Sequence, residues 1–547
     1  MNKPNAAGAF MFHPEWERYP YPSTRHVVYA GNGMVATSQP LAAAAGLSIL
    51  QKGGNAIDAA IATAACLTVV EPTSNGIGGD AFALVWAGGK LYGLNASGIA
   101  PALMTIAAIH DRGHAQIPAS GFLPVLVPGI PAAWRDLSRK FGRLSLAECL
   151  EPAITHAREG YPVSCHVAMH WQRAFRIYRE RHVGAAFASW FDTFAPAGCA
   201  PKAGERWSSP THAATLTKIG ATRADAFYHG EIAEEIDAFS RRFDGLIRKS
   251  DLERYEPLWV DPISVNYKGY DVCEIPPNGQ GMIALAALAM LGDDAFAVKE
   301  DINTYHLQIE AMKLAFADGL AYIADPKTMP VSPSDLLSPA YVKARRSLIG
   351  PEAALPTAGN PAAGGTVYLA CADGEGNMVS YIQSNYMGFG SGLVVPGTGI
   401  ALQNRGHNFS LDPTAANALA PFKRSYHTII PGFLMKAGKA VGPFGVMGGF
   451  MQPQGHLQVV MNTIDFHLNP QAALDAPRWQ WIEGKTVTVE PAVPAGIVAG
   501  LRARGHVVSV DPELSRFGRG QIIWRDAKSG VLCGGTEPRC DGTIAAW

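Results

Sequence analysis

PTAGNPAAGGTVYLACADGEGNMVSYIQSNY, residues 356–386, changes character at a single residue. Up to Gly365 the segment is proline, alanine and glycine, the composition of a linker. From Thr366 it reads TVYLACAD, a β-like run, then Gly374-Glu375-Gly376-Asn377 as a turn, then MVSYIQS as a second β-like run. A hairpin whose first residue is threonine therefore follows at once on a loop that ends in glycine. A threonine hydroxyl is a weak nucleophile at neutral pH and needs a base within hydrogen-bond reach. Its own α-amine, with a pKa of about 7.7 to 8.0, can be that base, because a useful fraction of it is neutral at pH 7. The amine is free only if the chain is cut between Gly365 and Thr366. The same hydroxyl can make the cut by attacking the carbonyl of Gly365, where glycine tolerates the strained backbone that attack requires.

Gly-Gly-Thr alone is a weak signal, and a second copy at Gly534-Gly535-Thr536 leaves too short a tail to hold a binding site. Residues 366–547 can instead form a substantial subunit. On the residues alone, an ordinary strand threonine stands as the alternative for Thr366.

Outward from the hairpin, composition excludes several classes. The chain has 547 residues, 48% hydrophobic and 17% charged, with a formal net charge of −1, as expected for a soluble globular protein. No basic excess exists to neutralise phosphates, so no nucleic-acid partner is expected. The start has no apolar core of secretory length, and the apolar run from Ala59 to Val70 is too short and too close to Glu71 to cross a bilayer. The chain reads as cytoplasmic, with no membrane partner. Its eight cysteines are scattered without C-x-x-C spacing, so neither a zinc site nor a disulfide framework is expected, and Cys533 and Cys540 read as reduced thiols.

PLAAAAGLSILQ from Pro40 reads as a helix opened by proline and stopped by Gly53-Gly54. Asn55 can cap a second helix, AIDAAIATAACLTVV, buried on most sides, and the two together imply a covering layer over a sheet. Ala81 to Trp86 resembles a strand entering the core. Gly76, Gly78 and Ala81 mimic a dinucleotide-binding pattern, but they precede a strand-like run where the pyrophosphate needs a helix N-terminus. The segment 162–271 is the least informative, and its arginines at 176–181 and 241–242 read as solvated faces. PPNGQG at 276–281 is a turn signal before a buried helix, MIALAALAML. Ile309, Met312, Phe316, Leu320 and Ile323 make one apolar stripe on a further helix. A linker by composition runs from Pro326 to Gly365.

Six segments lie in the order in which they occur in the gamma-glutamyltranspeptidase family, which the chain resembles from about Met34 to Trp481. They are GGNAIDAAIATAACLTVVEPTSNGIGGDAF at 53–82, VPGIPAAW at 127–134, PPNGQG at 276–281, EAMKLAFADGLAYIADP at 310–326, Thr366 with its hairpin, and LDAPRWQW at 474–481. The resemblance implies an N-terminal nucleophile hydrolase of mixed α/β (α+β) class, a four-layer αββα sandwich. It further implies self-cleavage into a large subunit, 1–365, and a small subunit, 366–547, which stay together as a heterodimer without metal or cofactor. Thr366 falls on the family's nucleophile and Ser384 on a threonine whose hydroxyl contacts it, a contact that serine can keep. Gly448-Gly449, in PFGVMGGFMQPQGH, falls on the glycine pair whose amides stabilise the oxyanion, where the absence of a Cβ lets substrate approach.

The substrate ligands depart from the family pattern. Ser97 stands at the family's arginine, Tyr386 at its asparagine, Asn408 at its aspartate, and Lys423-Arg424 at its serine pair. Without the aspartate an α-ammonium group should bind less well. Arg405 and Arg424 each read either as a carboxylate anchor or as a structural ion pair. His427 reads as a packed or hydrogen-bonded histidine. The substrate is expected to be a small-molecule amide or peptide, with three readings. A divergent gamma-glutamyl hydrolase, resembling glutathione hydrolases, stands first. An amidohydrolase for another acidic amide, resembling the family's oxamate amidohydrolase or cephalosporin (glutaryl) acylase members, stands second. An unprocessed binding relative stands third.

Overall fold

The computed structural model describes residues 24–356 and 365–547; residues 1–23 and 357–364, the latter closing the expected linker, lie outside them. Two seven-stranded antiparallel sheets face one another. The first runs, in spatial order, Thr543–Ala546, Gly33–Thr37, Gly365–Asp373, Met378–Tyr386, Asp80–Ala87, Lys90–Ala96 and Leu258–Val260. The second runs Val28–Ala30, Leu532–Thr536, Arg519–Arg525, Lys439–Met447, Gly432–Lys436, Tyr270–Glu274 and Ile263–Tyr267. Both sheets take strands from before and after position 365, so neither piece of a chain cut there could complete a sheet alone.

Alternation along the strands builds the layers. Val367, Leu369 and Cys371 enter a core shared with the helices Pro40–Gln51 and Ala56–Val70. Tyr368, Ala370 and Ala372 enter the core between the sheets with Phe82, Ile382, Phe433 and Ile523. The far side of the second sheet carries the helices Gly281–Leu291, Ile302–Tyr322 and Met451–Ile464 over a third core. The result is the four-layer αββα sandwich that the sequence implies.

Local expectations hold at the first two helices. Pro40 opens the first, and Gly53, at φ +92°, ends it by donating its amide to Leu50. Asn55 caps the second in a box with Asp58, and all of its residues are buried. Two expectations need correction. The Ile302–Tyr322 helix carries no single stripe, because helices and a strand pack around it and bury even His306, Glu310 and Lys313. Part of the linker is helical, over Pro333–Leu336 and Pro339–Arg346, where Arg345 pairs with Asp318 at 2.9 Å and Arg346 with Asp294 at 2.8 Å. Among the described residues no helix is long and apolar enough to cross a membrane.

Candidate active site

Thr366 sits at the start of its strand, where only the Met378–Tyr386 strand pairs with it, since pairing with Gly33–Thr37 begins at Leu369. Between Gly365 and Val367 the register shifts, a bulge of the kind that re-aims side chains beside active sites. The Thr366 Oγ1 donates to Ser384 Oγ at 3.2 Å, and Ser384 Oγ also accepts from the Tyr386 amide at 2.7 Å. Both hydroxyls are buried. The contact expected from the sequence is therefore present. Ser384→Ala should remove it and leave the Tyr386 amide without that acceptor, lowering kcat about 10-fold while Ser384→Thr largely retains it. Single-turnover kinetics of the three proteins check this.

Directly across from Ser384 on the neighbouring strand is Asp80. Its Oδ1 accepts from Gly98 N at 2.6 Å and Gln403 Nε2 at 3.1 Å, and its Oδ2 from His427 Nε2 at 3.0 Å. Ile429 N donates to His427 Nδ1 at 3.3 Å, which assigns the ring proton to Nε2. Burial, reinforced by the Arg405 charge, lowers His427 to about 4, so it is neutral at pH 7 and orients Asp80. It is the hydrogen-bonded histidine that the sequence reading favoured.

Arg405 lies fully buried beside this pair. Its Nη1 donates to Thr428 Oγ1 at 2.7 Å, its guanidinium carbon is 4.2 Å from the centre of the Tyr386 ring, and its Nε is 3.6 Å from Asp80 Oδ2. Among the described residues Nε and Nη2 have no hydrogen-bond partner. Burial lowers the guanidinium to about 10, which leaves it charged at neutral pH. Tyr386 adopts φ +78°, a conformation costing about 1–3 kcal/mol in a bulky residue, and burial raises its hydroxyl so that it stays protonated.

Gly448 and Gly449 follow the Lys439–Met447 strand at φ +142° and +60°. The Gly448 carbonyl accepts from Met451 N at 3.0 Å and the Gly449 carbonyl from Gln280 Nε2 at 2.8 Å. Among the described residues neither of their amides meets an acceptor. Gln280 also donates to Thr428 O at 2.6 Å and accepts from Tyr426 Oη at 2.8 Å. A chain of contacts thus runs from Gly449 through Gln280, Thr428 and Arg405 to Asp80, whose cross-strand neighbour is Ser384, the partner of Thr366. One strand earlier, Gly445 lies against the Tyr368 ring, across the gap between the sheets. A cavity of about 720 Å³ opens beside Gly448, walled by Met447, Phe450 and Trp481.

The remaining expected ligands are engaged within the protein. Arg424 donates to the carbonyls of Ser97 and, at 2.9 Å, Glu256, while Lys423 reaches the carbonyls of Ala416 and Ala418. Ser97 Oγ donates to Asn95 Oδ1 at 2.7 Å, and Asn408 Nδ2 to Tyr426 O at 3.1 Å. Asp80 and Gln280 were not singled out from the sequence. An acid opening the otherwise apolar run DAFALVWA is a signal that could have found the first, since a buried carboxylate requires partners.

Among the described residues one group could hold a metal ion: His306, Glu310 and His506. Lys313 Nζ lies 2.6 Å from Glu310 Oε1 and supplies the positive charge there. The cluster instead anchors the segment before the linker, with His306 Nε2 on Gly350 O at 2.8 Å and Glu310 Oε2 on Ala354 N at 3.2 Å.

Burial lowers His212 and His427 to about 4, which links stability to pH. Between pH 6.5 and 4 the unfolded chain protonates these rings while the folded one does not, so stability falls as the pH drops across that window. The expected slope is up to about 1.4 kcal/mol per pH unit for each ring. Urea midpoints measured from pH 7.5 to 4 should decline below pH 6.5, and a flat profile would refute the neutral assignment.

A four-layer αββα sandwich, with a threonine opening a central strand beside a pair of glycine amides, is the architecture of an N-terminal nucleophile hydrolase. Residues 42–547 match the model of the gamma-glutamyltranspeptidase family. The chain belongs to that family and is a self-processing amide-bond hydrolase. It is 36% identical to the glutathione hydrolase-like YwrD proenzyme of Bacillus subtilis, over 93% of this chain and 97% of that protein. It is 33% identical to the oxamate amidohydrolase proenzyme of Klebsiella pneumoniae, over 94% and 98%. Among solved structures, the cephalosporin acylase from Bacillus halodurans shares 60% identity and a TM-score of 0.96, over 98% of this chain and 99% of the other.

Proposed function

We propose that the chain cuts itself between Gly365 and Thr366 and then, as a heterodimer of 1–365 and 366–547, hydrolyses amides of acidic acyl groups through an ester on Thr366. In the first reaction Thr366 Oγ1 attacks the Gly365 carbonyl, the peptide C–N bond breaks, and water hydrolyses the resulting ester to a Gly365 carboxylate and a free Thr366 amine. In turnover the Thr366 amine takes the hydroxyl proton as Oγ1 attacks the substrate carbonyl. The oxyanion is held by the Gly448 and Gly449 amides, and the leaving amine departs with the proton. Water, deprotonated by the same amine, then releases the acid and restores the hydroxyl.

The observation that carries the acidic specificity is Arg405, fully buried and charged with two nitrogens unpartnered, close to the Tyr386 ring and Asp80. An acyl carboxylate would satisfy it. Arg424, bound to two carbonyls, is the weaker candidate. Asn408 offers no charge for an α-ammonium group, so Tyr386, Asn408 and Ser97 shape the pocket without demanding an amino acid.

Two measurements test this. Denaturing electrophoresis should show two fragments meeting at residues 365 and 366, and one uncut band after long incubation would overturn it. Glutaryl 4-nitroanilide should be hydrolysed with a kcat/KM at least equal to that of the gamma-glutamyl anilide. A gamma-glutamyl preference above about 10-fold would show that an α-ammonium site exists.

A further inference from the structure

The cavity beside Gly448 has a charge pattern that hydrolysis of an acidic acyl group does not explain. One wall is a face of the Cys165–Arg181 helix, which presents Arg173, Ile177 and Arg181 at intervals of four residues. The opposite wall, near the Leu514–Phe517 turn, presents Arg516 and Arg519. Glu513 is the lone carboxylate of the lining, and it is shared between Arg173 at 3.2 Å and Arg516 at 3.0 Å. Arg516 has a second acidic neighbour in Asp511 at 2.9 Å, and Arg519 has Glu71 at 3.2 Å. Arg181 has no ion-pair partner among the described residues. Arg519 is more than nine-tenths buried, and its Nε meets no acceptor. His170 accepts from Arg519 Nη2 at 2.7 Å and, lowered to about 3 by burial and by that guanidinium, contributes no charge of its own. Phe450 and Trp481 complete the lining with aromatic surface.

We propose that this cleft is the leaving-group subsite and that it takes an amine whose ring carries a carboxylate. A carbonyl whose oxygen meets the Gly448 and Gly449 amides has two arms. One extends to Arg405, and the other enters the cleft between the arginines. Aromatic walls suit a flat ring, and the unpartnered Arg519 Nε together with the unpaired Arg181 suits its carboxylate. The subsite rests on the amide-hydrolase reading for its role in turnover, but its preference for an anion can be measured without turnover.

Equilibrium dialysis of the processed enzyme with 3-carboxy-4-nitroaniline and with 4-nitroaniline reads that preference. The carboxylated amine should bind about 10-fold more tightly, with the advantage weakening at high salt. Arg181→Gln should shrink the ratio, and the Arg173→Gln, Arg181→Gln double variant should bring it near one. Both side chains are on the surface, so these proteins should fold. Equal binding of the two amines, or a ratio unchanged in the double variant, would overturn the subsite. The matching glutaryl anilides should show the same order in kcat/KM. If no anilide is cleaved while the binding ratio and its loss in the variants persist, the amide-hydrolase reading fails and the anion site stands.

Discussion

Thr366→Ala should leave one uncut chain and reduce turnover on the order of 10⁴-fold or more, because one hydroxyl serves both reactions. The substitution removes Oγ1 and Cγ2 and keeps the Cβ, so the fold has little reason to change. Pairing with the Met378–Tyr386 strand is a backbone property, and the adjacent Val367 and Tyr368 remain in their separate cores. The hydrogen bond lost, to Ser384, is worth about 1 kcal/mol. A protein that is folded, uncut and inactive is therefore the expected product, checked by circular dichroism, electrophoresis and anilide hydrolysis on one preparation. Thr366→Ser restores an oxygen and should recover part of both activities. Turnover by the alanine variant at a few per cent of the parent would disprove the nucleophile. A cut at residue 365 in that variant would show that another group attacks the peptide bond.

The hairpin around Thr366 was legible because its turn, Gly374 to Asn377, is chemically distinct and because both its strands are buried on two faces and read as continuous apolar runs. The same holds for the Ala56–Val70 helix, which lacks a polar side because it has no solvent face. What the sequence hides depends on contacts between distant segments. The arginines of the Cys165–Arg181 helix read as a solvated face, yet Arg173 and Arg181 line a cleft whose other wall arrives with Arg519, 349 residues after His170. Asp80, His427 and Arg405 come from three separate segments and become a buried cluster only when the sheet brings Asp80 beside Ser384. The choice between anchor and ion pair for Arg405 and Arg424 turns on which nitrogens find carbonyls, and no spacing rule encodes that. Gln280 looks like part of a turn, although its side chain fixes the Gly449 carbonyl.

Gly448→Ala should lower kcat about 100-fold with little change in KM, the pattern of a donor that acts on the oxyanion more than on the bound substrate. Two constraints act at this position. Its φ of +142° is one that residues with a Cβ rarely adopt, and an added Cβ would lie 3.1 Å from Gly518 Cα and 3.4 Å from Met451 Cβ. Relief of either moves the peptide planes on both sides of Gly448, and these carry the Gly448 and Gly449 amides. The carbonyls cannot follow freely, since Met451 N and Gln280 Nε2 hold them. Conformational cost alone would also destabilise the protein, so a matched control is needed. Gly438, at φ +73° in the turn before the same strand, has open space around its Cβ position. Gly438→Ala should carry a similar penalty in stability, on the order of 1 kcal/mol, without altering kcat. If both variants melt a few degrees lower but only Gly448→Ala loses kcat, the amide pair is the oxyanion site. If Gly448→Ala keeps kcat within about threefold of the parent, the oxyanion must be bound elsewhere, because a displaced donor in a water-excluded site cannot be that cheap.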